Sequence, residues 1–147
     1  MPDAEANKAV VRRFIERIFG AGDLAAVDEL IAPDAVFHTY RFADDPRAGM
    51  RAAIERVSAG LSDGAFTVHR LVAEDDLVCA QVTAAATQSG PFMGMPATGR
   101  RYEIDELHLF RVRGGQVVEH WHQYDQLGMM RQLGLAPAPR PDPRTRG

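Results

Sequence analysis

The sequence has little of several features that define other classes of protein. Its 147 residues include a single cysteine, Cys79, which excludes an internal disulfide and a cysteine-based metal cage. The net charge is −3, and Lys8 is the only lysine among 17 basic residues, so nothing points to a nucleic-acid partner. No apolar run approaches the roughly 20 residues of a membrane span. The N-terminus lacks the basic start and apolar run of a signal peptide, so we expect a cytoplasmic protein with no membrane partner.

The composition is that of an ordinary folded domain. Hydrophobic residues make up 46% and charged residues 25% of the chain, and the length suits one domain with a buried core. The segment from residue 136 holds four of the nine prolines. We therefore expect a single domain over residues 1–135 and a disordered, Pro/Arg-rich tail over residues 136–147.

The spacing of apolar residues changes from helical to strand-like along the chain. Helical spacing covers residues 5–19, and two further helical patterns flank a strand pattern at 35–41. The later patterns are strands at 66–73, 77–87, 100–113 and 116–124, followed by a short helix at 126–133. Helices first and an antiparallel meander last predict an α+β fold. In this fold a curled antiparallel or mixed sheet packs on the N-terminal helices as a cone with a pocket inside.

The pair Gly114-Gly115 predicts a tight hairpin between the last two strands. A two-residue turn places Arg113 opposite Gln116, and directly paired residues point to the same side of a sheet. If the pairing continues without a bulge, one face carries Ile104, Glu106, His108, Phe110, Glu119, Trp121, Gln123 and Asp125. The other face carries Asp105, Leu107, Leu109, Val118, His120, His122 and Tyr124. A one-residue bulge near the turn would shift this register.

The first of these faces has the composition of an acid–base pocket. It brings Asp125 and Glu106 together with His108 around the ring of Trp121. Burial against an indole ring and a second carboxylate nearby both raise the pKa of a carboxyl group, which suits it to take and return protons. Two other interpretations stay open. Glu106 and His108 can form a surface or structural pair, and Asp125 stands where an aspartate commonly caps a helix.

The sequence His120-Trp121-His122 invites a zinc hypothesis. Two histidines on one strand with a third on its neighbour can bind zinc. The predicted register argues against this, because it turns His108 away from His120 and His122. We therefore expect no metal site, and we expect these two histidines on a partly exposed sheet face that suits a homodimer or higher homo-oligomer.

Several other side chains are candidates for contact with a substrate. His38 and Tyr40 alternate with their neighbours on the first strand and share a face, so both can enter the pocket, although a packed structural histidine is the alternative. Met93 lies in a Gly- and Pro-rich loop that can form the pocket mouth or a subunit contact. Phe14 and Trp121 can shape the cavity, and Gln123 shares the predicted pocket face.

The C-terminal half resembles a known family. The segment from Gly90 to Arg100 reads Gly-Pro-Phe-Met-Gly-Met-Pro-Ala-Thr-Gly-Arg. Phe-Arg-Val at 110–112, Gly-Gln-Val-Val-Glu-His-Trp at 115–121, Asp125 and Arg-Gln-Leu-Gly at 131–134 follow it. Together these segments resemble the SnoaL-like polyketide cyclases, also called ester cyclases, over about residues 8–135.

The resemblance implies a fold, an activity and a set of site residues. It implies the cone-shaped fold typical of nuclear transport factor 2 and an intramolecular aldol ring closure that needs neither a metal nor an organic cofactor. It also implies that Asp125 is the acid–base group and that His108 and Glu106 assist it.

Two functions from different classes remain open at this point. The first is a cyclase-like enzyme that acts on a bulky, mostly apolar carbonyl compound. The second is a binding protein without chemistry, since a fold does not fix a function. An epoxide hydrolase or isomerase is a third option, and a hydrolase would need Asp125 and a second acid to activate a water. Exposure of Asp125, or its use as a helix cap alone, would favour the binding function.

Overall fold

The chain folds into helices packed against one face of a five-stranded sheet. The computed structural model describes residues 2–42, 44–141 and 144. The elements, in chain order, are α1 (Ala4–Phe14), a π-helical segment (Ile15–Gly20), α2 (Leu24–Leu30), β1 (Ile31–Phe37), α3 (Pro46–Gly60), β2 (Leu61–Glu74), β3 (Leu77–Gln88), β4 (Arg101–Arg113), β5 (Gln116–Tyr124) and α4 (Gln126–Gln132). No helix among these residues is long and apolar enough to cross a membrane.

Side-chain caps and buried stripes explain the helices. Asp3 accepts a hydrogen bond from the backbone N–H of Ala6 at the start of α1, and Asp45 accepts from two N–H groups at the start of α3. Helix α1 buries Val10, Val11 and Phe14 on one face, as its helical spacing predicts. The apolar stripes of these helices lie against the sheet and form the main core.

The sheet has the strand order β1-β5-β4-β3-β2. Strands β2 to β5 pair antiparallel, whereas β1 pairs parallel to β5 at the opposite edge. Along β4 every second residue is buried, so one sheet face packs on the helices and the other does not. The α+β fold with a mixed sheet is therefore confirmed. Part of the expected disordered tail, residues 142–143 and 145–147, lies outside the described residues.

The hairpin between β4 and β5 keeps its expected turn but not its expected register. Gly114 and Gly115 have φ of 57° and 76°, the left-handed values that a tight hairpin turn needs, and Arg113 pairs with Gln116. Val112 then pairs with Val117 but Arg111 with Glu119, so Val118 is a one-residue bulge. All pairing beyond this point is shifted by one residue.

The shift exchanges the two faces of β5 relative to β4. His108 pairs with His122 and Phe110 with His120, whereas Trp121 pairs with Leu109 and Gln123 with Leu107. The expectation that Trp121, Gln123 and Asp125 share a face with Glu106 and His108 is therefore wrong. The exposed position expected for His120 and His122 is wrong as well, because they are 0% and 6% exposed.

The first strand also ends earlier than expected. β1 covers Ile31–Phe37 rather than residues 35–41, and a turn follows over residues 38–40. The strand alternation expected for His38 and Tyr40 therefore does not apply. His38 forms an ion pair with Glu119 and stacks on Trp121, whereas Tyr40 packs against the core on the helical side.

Candidate functional site

A cavity of about 300 Å³ lies between the helices and the inner face of the sheet. The π-helical segment and α3 supply Phe19, Met50 and Ile54, and the loop after β3 supplies Phe92 and Met93. The sheet side includes Phe66, Tyr102, Ile104, Glu106, His122 and Tyr124, and Tyr40 joins it from the turn after β1. Most of this lining is apolar. Glu106 and His122 bring a carboxylate and an imidazole to it.

Glu106 is the first member of a buried polar cluster. Its Oε2 atom lies 2.8 Å from Nε2 of His108 and 3.5 Å from Nε2 of His122. On the other side of the His108 ring, its Nδ1 atom lies 3.0 Å from Nε2 of His120. The strand geometry brings these side chains together. Glu106 and His108 are two apart on β4 and so point to the same face of the sheet, and His108 pairs directly with His122 on β5.

Burial and hydrogen bonds set the charges of this cluster. Burial alone would raise the pKa of Glu106, but the hydrogen bond from His108 and the nearby ring of His122 outweigh it and lower this pKa to about 2. Burial lowers the pKa of His108 and lowers that of His120 further. At neutral pH the site therefore holds an ionised carboxylate beside two neutral imidazoles.

His122 has unused hydrogen-bonding capacity. Both of its ring nitrogens are buried and have no hydrogen-bond partner among the described residues. Its ring stacks on that of His108, with centroids 4.1 Å apart, and on that of Tyr124. A buried imidazole without partners beside a cavity is suited to donate to, or accept from, a bound molecule.

Three tyrosines of the lining retain their protons at neutral pH. Burial, and then the negative charge of Glu106, raise the pKa of Tyr102 to about 12, and the same two causes raise the pKa of Tyr40 and of Tyr124. Each phenol can therefore donate a hydrogen bond to a carbonyl oxygen.

The same cluster holds donor atoms for a metal ion. The ligand atoms of Glu106, His108 and His122 all lie within 4.8 Å of one another, so the expectation that His108 faces away from His122 is wrong. One carboxylate and two imidazoles suit a divalent transition metal. The two imidazole rings, however, are only 10° from parallel, so their in-plane lone pairs run side by side and do not converge. Metal binding would require one ring to turn, and the arrangement as it stands does not fit a metal.

Asp125 lies apart from this cluster. It is exposed at the start of α4, where its Oδ1 atom accepts a hydrogen bond of 2.8 Å from the backbone N–H of Gly128. It does not line the cavity that Glu106 and His122 share, but borders a shallow depression with Gln126 and Leu127. The structure therefore shows Asp125 as a helix cap, and its acid–base role stays a prediction.

The other candidate residues divide between the two sides of the sheet. Tyr40 and Met93 line the cavity. Phe14 is fully buried in the core next to Phe110 and His120, outside the lining. Trp121, Gln123 and His38 lie on the opposite side of the sheet; the rings of His38 and Trp121 stack with centroids 4.7 Å apart.

His122, Tyr102 and Tyr124 line the cavity, although the sequence analysis did not place them there. Tyr102 alternates with Ile104 and Glu106 along β4, so it could have been found by extending the buried face of that strand. His122 and Tyr124 could not, because their side depends on the bulge at Val118.

Comparisons with known proteins agree with this fold. The family model for SnoaL-like polyketide cyclases matches residues 9–133. The aklanonic acid methyl ester cyclase DnrD of Streptomyces peucetius is 45% identical over 53 residues, and the nogalonic acid methyl ester cyclase of Streptomyces nogalater is 40% identical over 45 residues. These alignments cover 36% and 31% of this chain, and only about a third of each relative, 36% and 34%.

Solved structures match over a larger part of the chain. TsrD from Streptomyces laurentii has a TM-score of 0.83 at 30% identity and covers 92% of this chain and 100% of its own. IdmH from Streptomyces antibioticus, a candidate polyketide cyclase, has a TM-score of 0.74 at 38% identity and covers 87% of this chain and 98% of its own.

Proposed function

The chain belongs to the family of SnoaL-like polyketide cyclases, and we propose that it closes a ring by acid–base chemistry on a bulky, mostly apolar carbonyl compound in the cavity. The observation that carries this proposal is the pairing of Glu106 with His122 in a mostly apolar lining. A pKa of about 2 keeps this carboxylate ionised but makes it a weak base, so the proton that it takes must come from a carbon whose enolate is conjugated. The adjacent imidazole can donate to the oxygen atoms of the same substrate.

Glu106 is the proposed base. His108 occupies its Oε2 atom, whereas its Oε1 atom forms no hydrogen bond with a described residue. Oε1 removes a proton from the carbon next to a substrate carbonyl, and the resulting enolate attacks a second carbonyl of the same molecule. The new carbon–carbon bond leaves an alkoxide, which is protonated, and Glu106 releases its proton. Product and substrate are isomers, so side chains alone suffice.

His122 and the three tyrosines of the lining are the proposed hydrogen-bond donors to the oxygen atoms of the substrate. Negative charge develops first on the enolate oxygen and then on the alkoxide, and donors fixed beforehand stabilise such charge best. Tyr40, Tyr102 and Tyr124 retain their protons because burial and Glu106 raise the pKa of each. His122 has two buried ring nitrogens without partners and can donate to the alkoxide.

A binding function without chemistry is the second candidate. The use of Asp125 as a helix cap favours it, because the family resemblance implies that this residue is the acid–base group. In that case the cavity would bind the same class of compound and release it unchanged.

The two functions are separated by one experiment. The purified chain is incubated with aklanonic acid methyl ester and with nogalonic acid methyl ester, because relatives are named for these compounds. Chromatography with mass detection should show a product of unchanged mass and new retention time, formed by the wild type and lost in Glu106→Gln. Binding in a thermal-shift assay without any such product supports the binding function. Equal turnover by Glu106→Gln and the wild type would exclude the proposed base.

A further inference from the structure

A chain of three buried polar side chains runs from the cavity into the core. Glu106 lines the cavity, His108 lies behind it, and His120 lies behind His108. Neither His108 nor His120 is part of the lining, and they are 1% and 0% exposed. Neither imidazole takes part directly in the proposed ring closure. The two hydrogen bonds that connect His120 to His108 and His108 to Glu106 therefore need another explanation.

The hydrogen bonds of this chain can run in only one direction. An ionised Glu106 accepts, so His108 must carry its proton on Nε2. A neutral imidazole has only one N–H, which leaves Nδ1 of His108 as an acceptor. His120 must then donate through its own Nε2. Burial lowers the pKa of both imidazoles and so favours their neutral forms, and with both rings neutral this assignment fits the two distances.

The chain ends at His120. Nδ1 of His120 is buried and has no hydrogen-bond partner among the described residues. The ring lies within an aromatic group, with centroids 4.6 Å from Phe110, 5.4 Å from Phe37 and 5.9 Å from Tyr40. Nδ1 therefore has no hydrogen-bond partner among the described residues to which a proton could pass. The chain therefore does not conduct protons, and its effect is to fix an orientation.

From this geometry we infer that His120 is a positioning residue, which holds His108 in its Nε2–H tautomer and thereby holds the Glu106 carboxylate oriented towards the cavity. The inference rests on the proposed role of Glu106 as the base. It explains a polar ring in the centre of an aromatic core, where an apolar residue of similar size would otherwise be expected.

None of the other titratable groups near Glu106 is itself replaced in a variant of His120. They are His108 and Tyr102 on β4, His122 and Tyr124 on β5, and Tyr40 after β1. A change in the titration of Glu106 on replacing His120 therefore reports the loss of the hydrogen bond to His108.

Two variants of matched size separate this role from simple packing. His120→Gln offers an amide N–H in place of the Nε2 donor, whereas His120→Phe fills the space with an apolar ring and no donor. Nitrogen-15 spectra should show that His108 and His120 of the wild type carry their protons on Nε2. Carbon-13 titration should give a Glu106 pKa that is unchanged in His120→Gln and raised by about one unit in His120→Phe. If one of the two methyl esters is turned over, His120→Phe should lower kcat for that ester about tenfold and leave KM unchanged.

These measurements do not depend on finding a substrate. A chain without turnover can still show the expected tautomers and the shifted titration, so failure of the proposed function and failure of this inference are distinct results. An Nδ1–H tautomer of His108 in the wild type would overturn the inference, even if neither variant folds. The same titration of Glu106 in His120→Phe and in the wild type would also overturn it.

Discussion

Phe110 lies directly opposite His120 in the β4–β5 hairpin, and their ring centroids are 4.6 Å apart in the core. The bulge at Val118 produces this pairing, because the extra residue shifts every later position of β5 by one. His120 and His122 thereby face the helices, and Trp121 faces the other side of the sheet. The composition of the cavity thus depends on a single unpaired residue next to a tight turn.

The position of Trp121 leads to the first prediction. Its indole stacks on His38 on the side of the sheet away from the cavity, so it contacts neither Glu106 nor a bound substrate. Trp121→Phe keeps an aromatic ring for this stack and should retain kcat and KM to within about threefold, since surface changes have small effects. Steady-state kinetics on the probe ester measures this. A loss of about 100-fold in kcat would show that this face takes part in the reaction.

The hairpin shows how far the sequence predicts the structure. Gly114 and Gly115 identify the turn because few other residues accept two successive positive φ values. The bulge leaves no such mark. Val117 and Val118 are both apolar, so either can face the core, and alternation does not identify the extra residue. Glu106 and His108 could be placed together because they are two apart on one strand, whereas their partners across the sheet could not.

Glu106 and Asp125 compete for the role of acid–base group, and matched variants separate them. Glu106→Gln keeps the shape of the side chain and removes its basicity, so kcat should fall at least about 100-fold if Glu106 is the base. Asp125→Asn keeps a good helix cap, so it should change kcat little and stability by less than about 1 kcal/mol. Turnover of the probe ester, with thermal unfolding of both variants as the folding control, decides the matter. The reverse pattern, with activity lost only in Asp125→Asn, would assign the chemistry to Asp125.

Phe14 is predicted to act on stability and not on substrate binding. It is fully buried, with ring centroids 5.1 Å from Phe19 and 5.2 Å from Phe110, and it does not line the cavity. Phe14→Ala removes a large buried ring and should lower the free energy of unfolding by about 3–5 kcal/mol. Phe14→Leu keeps most of the volume and should cost less than half as much. Urea unfolding measures both, and a raised KM in a stable Phe14→Leu variant would instead indicate substrate contact.

The stability of the protein should fall in acid in a way that depends on Glu106. The pKa of this carboxyl is about 2 in the folded chain against an ordinary value of 4.5, because the effect of burial is outweighed by the hydrogen bond from His108 and the nearby ring of His122. A lowered pKa stabilises the folded state above pH 4.5. That stabilisation is lost as the pH falls from 4.5 towards 2, because the unfolded chain takes up the proton first. The upper limit of this contribution is about 3 kcal/mol.

Glu106→Gln is the control that isolates this contribution. Interactions with basic side chains also lower the pKa of Asp23, Asp76 and Glu119, and burial lowers that of His108 and His120, so acid destabilises the wild type through several groups. The three carboxyl groups are unchanged in Glu106→Gln, which cannot take up a proton at position 106. Free energies of unfolding in urea, measured at intervals from pH 6 down to pH 3, should therefore fall less steeply in the variant than in the wild type below pH 4.5. If the free energies of unfolding of wild type and variant fell equally steeply with pH, Glu106 would have the same pKa in the folded and the unfolded chain. The cluster would then not lower the pKa of Glu106.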